Sequence, residues 1–127
     1  FIEPLEQDDK QTEIKDLGSI KHVKDLRHRP AADDMLVATL FPFEKRLGFE
    51  IFELTLLPQY SRVSEPHESG VIEHVIVQSG SLELLIEDNW VNLEQGQAIR
   101  FAADKPHGYR NMEAEPVQFI DVIYYSQ

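Results

Sequence analysis

Residues 67–80, His-Glu-Ser-Gly-Val-Ile-Glu-His-Val-Ile-Val-Gln-Ser-Gly, are where the fold is decided. The β-branched run from Ile72 ends in Ser79-Gly80-Ser81, so it reads as a strand closed by a tight turn. Side chains alternate along a strand, which puts Glu73, Val75 and Val77 on one face and His74, Ile76 and Gln78 on the other. Glu73 and His74 therefore cannot enter one interior together. A carboxylate facing inward beside two valines is costly unless something meets it. A metal ion held together with His67, in the preceding loop, and with His107, further along, would do so.

Outward from this stretch the chain keeps the same texture. Apolar segments at 36–41, 49–57, 72–78, 82–86, 90–93, 98–101, 107–112 and 117–125 are separated by turn chemistry at Lys45-Arg46-Leu47-Gly48, Asp88-Asn89, Glu94-Gln95-Gly96 and Glu113-Ala114-Glu115-Pro116. Short strands at this spacing predict an antiparallel all-β sandwich or barrel. In the strand that starts at His107, parity groups His107, Tyr109 and Asn111 and turns Gly108 and Arg110 away.

The part before Met35 differs. From Glu6 to Asp34 it is polar, with no sustained apolar period, a break at Leu17-Gly18 and a stop at Arg29-Pro30. It reads as a linker carrying at most a short helix or edge strand. Residues 21–29 form the one basic island, either a solvated face or an approach to DNA beside another domain. The chain opens on Phe1-Ile2 without a Met, as expected of a piece that follows a removed part. The expected organisation is a linker over 1–34 and a β-domain over 35–127.

With 127 residues, 42% of them hydrophobic, there is material for one core and no second domain. Cysteine is absent, which excludes disulfides, a thiolate nucleophile and a cysteine zinc knuckle. No apolar run approaches the roughly 20 residues of a membrane span, and the expectation is a soluble, cytoplasmic domain without a membrane partner. Twelve Lys+Arg against 23 Asp+Glu give a formal charge of −11. Phosphate binding needs the opposite sign, so this domain alone should not grip DNA; its field favours a bound cation.

Two motifs carry a family resemblance. Glu73 followed by six residues and Gly80 is similar to the end of the first cupin motif, and Gly96, His107 and Asn111 keep the spacing of the second. Ala102 and Asp104 stand where that second motif usually has Pro and Gly. The segments 67–74 and 106–111 also resemble the cupin domains that follow a helix-turn-helix in bacterial XRE-type transcription regulators. The resemblance covers about residues 53–125 and implies a double-stranded β-helix, or jelly-roll, barrel. It further implies a homodimer that reaches DNA through a helix-turn-helix domain outside this chain.

For the site the resemblance implies metal ligands at His67, Glu73 and His107. Five residues separate His67 from Glu73, more than is usual, and Glu65 stands where a first histidine would be. The fourth position is then open or taken by Glu65, water or an effector. Two imidazoles and a carboxylate suit zinc, with iron, manganese or nickel as alternatives. Without a metal, His67 would be a plain loop residue, Glu73 salt-bridged and His107 a satisfied pocket histidine. Tyr109, Phe101, Phe119 and Arg62 are candidate ligand contacts, the aromatics competing with ordinary core packing and Arg62 with a surface role.

The implied function is an effector sensor that binds an amino-acid-like, polyamine or sulfur-containing metabolite. The alternatives are a metal-dependent cupin dioxygenase or isomerase, and a metal-free barrel serving dimerisation only.

Overall fold

A computed structural model describes residues 14–26, 28–32 and 34–126. The opening of the lead segment, with Phe1-Ile2, and Arg27 of the basic island lie outside the described residues. Among the described residues ten strands follow in order: β1 Arg29–Ala32, β2 Met35–Glu44, β3 Phe49–Leu56, β4 Tyr60–Ser64, β5 Ile72–Ser79, β6 Ser81–Ile86, β7 Asn89–Glu94, β8 Ala98–Ala102, β9 His107–Asn111 and β10 Val117–Tyr124. They form a six-stranded sheet in the order β1-β2-β3-β10-β5-β8 and a four-stranded sheet in the order β4-β9-β6-β7. All pairings are antiparallel.

The expected all-β class and jelly-roll plan hold. The barrel is two separately hydrogen-bonded sheets packed face to face, rather than one closed cylinder. Their inner faces make one core: Leu54, Leu56, Val75, Val77 and Phe119 from the larger sheet meet Leu82, Leu84, Leu93 and Tyr109 from the smaller. β5 shows why: Glu73, Val75 and Val77 are buried, whereas Ile76 and Gln78 are exposed and His74 is half-buried. In β9, His107, Tyr109 and Asn111 are buried while Arg110 lies outside, over the Trp90 ring at 4.0 Å.

Two strands escape the hydrophobic pattern. β4 is an edge strand whose central residues Ser61, Arg62 and Val63 are exposed, so it has no apolar face to announce it. β1, inside the polar lead, is the other sheet's edge and pairs only with β2; a 3-10 turn at Val23–Asp25 precedes it. β2 also continues past Phe41 through Pro42 by way of register shifts, which lets a residue without an N–H sit in the strand.

Two glycines hold the site's frame. Gly80 turns β5 into β6 at φ +84°, and a Cβ there would lie 2.8 Å from the Pro116 carbonyl oxygen. Gly108, between inward-facing His107 and Tyr109 of β9, lets β4 pass so closely that a Cβ would lie 2.7 Å from the Arg62 carbonyl oxygen.

Candidate metal centre

His107 starts β9, Glu73 is the second residue of β5, and His67 sits in the loop between β4 and β5. Backbone bonds tie that loop to the one before β9: His67 N–H donates to the Ala103 carbonyl at 2.9 Å, and Ala103 N–H donates to Val71 at 2.9 Å. Asp104, at the motif's usual glycine position, accepts the Gly70 N–H at 2.8 Å. The departure from the motif thus fastens together the loop that carries His67 and the loop that leads into His107. Asn111, the motif's last residue, is a clamp rather than a ligand. Its amide nitrogen donates to Leu56 O at 3.1 Å and Glu115 O at 2.8 Å, and its oxygen accepts the Glu113 N–H at 2.9 Å.

The result is convergence: one ligand atom from each of His67, Glu73 and His107 lies within 4.8 Å of the other two. Glu73 Oε2 is 3.2 Å from His67 Nε2 and 3.5 Å from His107 Nε2. A tetrahedral ion with bonds of about 2.0–2.1 Å sets neighbouring ligand atoms roughly 3.3 Å apart, so these two edges have the right length.

The hydrogen bonds of His107 sharpen the point. Its Nδ1 lies 2.9 Å from the Lys105 carbonyl oxygen; a carbonyl only accepts, so Nδ1 carries the hydrogen. Nε2 is buried with no hydrogen-bond partner. A ring fixed in this way offers its Nε2 lone pair to the interior, where a carboxylate oxygen stands opposite. Two lone pairs facing each other repel, and a proton or a cation between them removes the repulsion. The donor set therefore fits a divalent ion such as zinc.

Glu73 is 1% exposed. Burial alone would raise its pKa, yet the net shift is downward, chiefly because His67 and Tyr109 hydrogen-bond it. The same contact with Glu73 raises the pKa of His67 against partial desolvation. The Tyr109 hydroxyl donates to Glu73 Oε1 at 2.6 Å and lies 3.4 Å from Asp121 Oδ2. Desolvation, and then the neighbouring carboxylates, push Tyr109 well above its ordinary value. Asp121 is also pushed well up, by burial first and by the charge of Glu73 second.

Beside these groups opens a cavity of about 200 Å³, lined on one side by Met35, Val37, Phe52, Leu54 and Ile123 and on the other by Arg62, Ser64, His67, Glu73, His107, Tyr109 and Asp121. Of the candidate ligand contacts, Tyr109 and Arg62 line it. Phe101 packs against the His107 ring at 5.8 Å and Phe119 stacks behind Tyr109 at 5.6 Å; neither is among the lining residues. Both support the site from behind. Glu65 is exposed and lies outside the three-residue cluster. His74 turns outward as parity required, accepting a bond from Arg100 at 2.8 Å. Asp121 and the apolar wall from β2 and β3 are additions that the motifs do not mark, although Asp121 shares its strand parity with inward Phe119 and Ile123.

Comparison with known proteins agrees with this architecture. The family profile of the cupin domain matches residues 52–123, more than half of the chain. The chain belongs to the cupin family. This cupin domain is 41% identical, over 96 residues, to the HTH-type transcriptional regulator SutR of Escherichia coli strain K12; the match covers 76% of this chain and 54% of that protein. A solved cupin domain of an XRE family transcriptional regulator from Enterobacter cloacae is 46% identical with a TM-score of 0.73, covering 75% of this chain and all of that one. An HTH_3 family transcriptional regulator from Vibrio cholerae is 39% identical with a TM-score of 0.71, covering 74% of this chain and 52% of that one. The cupin domain thus spans about half the length of the two whole regulators it resembles. Among the described residues, no helix is long and apolar enough to cross a membrane.

Proposed function

We propose that this cupin domain is the effector-sensing part of a transcription regulator, with a divalent metal at His67, Glu73 and His107 and a small metabolite in the adjoining cavity. The observation that carries the reading is the unpartnered, buried Nε2 of His107 facing Glu73 Oε2 at 3.5 Å. A site built only for packing would close that contact with a donor, as buried polar atoms ordinarily do. When bound, the ion would present an open coordination position to the cavity as a Lewis acid. Zinc suits the donor set, as do iron, manganese and nickel.

The chain's own groups supply the rest. Tyr109 holds Glu73, Lys105 O fixes the His107 ring, and the wall of Met35, Val37 and Phe52 excludes water from one side. The regulator relatives support sensing over turnover. An amino-acid-like, polyamine or sulfur-bearing effector would shift a two-state arrangement across a homodimer, and DNA would be reached by a helix-turn-helix domain on the 1–34 side of the domain. The zinc-loaded protein, incubated with candidate metabolites and followed by mass spectrometry, should bind and return them unchanged. Consumption of a metabolite would replace the sensor with a metal-dependent enzyme. Absence of any retained metal after purification in zinc, iron, manganese or nickel would remove the metal from the reading.

A further inference from the structure

Among the described residues, Asp121 is the one carboxylate lining the cavity besides Glu73. It is 2% exposed, sits on β10 between inward-facing Phe119 and Ile123, and lines the cavity. Its Oδ2 lies by the Tyr109 hydroxyl at 3.4 Å, while Oδ1 is buried without a hydrogen-bond partner. An acceptor stranded in this way costs stability that a valine or leucine at the same position would not. The opposite wall is hydrocarbon, from Met35, Val37 and Phe52. The cavity, about 200 Å³, falls below the roughly 300 Å³ at which pockets for drug-sized ligands begin.

We propose that the cavity takes a short aliphatic molecule whose head carries an N–H or O–H donor, received by Asp121 Oδ1, with its hydrocarbon part against Met35, Val37 and Phe52. A carboxylate head at that point would meet the oxygens of Asp121 and Glu73 and be repelled; a purely apolar molecule would leave Oδ1 stranded. The inference deepens the reading of this cavity as an effector pocket, and it holds whether or not a metal is bound.

The test is an NMR titration of the isotopically labelled domain with three probes equal in non-hydrogen atoms: 1-butanol, 1-butylamine and methyl propyl ether, which lacks a donor. The alcohol and the amine should perturb amides of β9 and β10 and bind about tenfold tighter than the ether, the factor carried by one hydrogen bond. Asp121→Asn, which keeps a carbonyl oxygen, should retain the preference, and Asp121→Leu should abolish it. Equal binding of ether and alcohol, a preference that survives in Asp121→Leu, or no perturbation around the cavity by any probe would each overturn the proposal. Should Asp121→Leu not fold, the wild-type probe series decides alone. Metal content measured on the same samples separates the two readings. A metal-free protein that prefers donors sinks the metal and keeps the pocket chemistry, and a zinc-loaded protein without the preference does the reverse.

Discussion

Two histidine–glutamate contacts lie on opposite faces of the six-stranded sheet, and the same residue types do different work in each. On the outer face, His28 Nε2 lies 2.9 Å from Glu53 Oε1, and its Nδ1 lies 3.0 Å from the Leu26 carbonyl oxygen. Both ring nitrogens lie within hydrogen-bond distance of an acceptor, and the contact ties the lead segment to the sheet. On the inner face, His107 Nδ1 is likewise anchored by a carbonyl at 2.9 Å, but Nε2 has no hydrogen-bond partner and only Glu73 Oε2 at 3.5 Å opposite it. Distance to a carboxylate does not separate a tie from a site; the unspent nitrogen does.

The largest effect is expected at the inner ring. His107→Ala removes a proposed ligand outright, and since losing a supporting partner alone typically costs about 10–100-fold in metal affinity, this variant should lose at least about 100-fold. Metal analysis after dialysis reads it, and an unchanged metal content would reduce His107 to a packing residue like His28. Tyr109→Phe is the next step down. It deletes the hydroxyl that holds Glu73 at 2.6 Å while leaving the ligands, so a loss of about 10–100-fold is expected in a competition titration with a chelator. His28→Ala should leave metal affinity untouched and instead lower stability by about 1–2 kcal/mol in chemical denaturation, because the Glu53 side chain, 7% exposed, is left without its partner. The cost stays below that of a fully enclosed pair because His28 is 25% exposed. A metal-affinity change in that variant would mean that the two faces are coupled through the sheet.

What could be read beforehand follows from the same physics. A strand has period two, so assigning one inward residue assigns all of them; Glu73 with Val75 and Val77, and His107 with Tyr109 and Asn111, were legible from parity alone. The role of Asp104 was not, because its partner, the Gly70 N–H, is distant in sequence and enters only through the pairing of two loops. β4 stayed hidden because an exposed edge strand has no apolar face, yet it brings Arg62 and Ser64 to the cavity. Phe101 and Phe119 face the interior as aromatic residues of that parity should. Alternation tells inward from outward but not front from back, so it could not show that they stand behind His107 and Tyr109. Asp121 was readable by the same alternation between Phe119 and Ile123; a search guided by motif positions passes over it.

The smallest expected effect concerns Glu65, which sequence spacing offers as a fourth ligand. It follows the end of β4 at Ser64 and is separated from His67 by Pro66, in a stretch without strand geometry. The alternation that would set residues 65 and 67 on a common side therefore does not apply. Glu65 is exposed, whereas the three converging groups include two that are 1% exposed. To reach the ion it would have to fold inward and give up its hydration, and the −11 formal charge of the chain opposes adding a further carboxylate. Glu65→Ala should then keep metal affinity within about threefold of the parent, less than 1 kcal/mol. A loss of tenfold or more would show the loop closing over a bound ion, and would make the inner site a four-ligand centre completed by the segment that parity could not place.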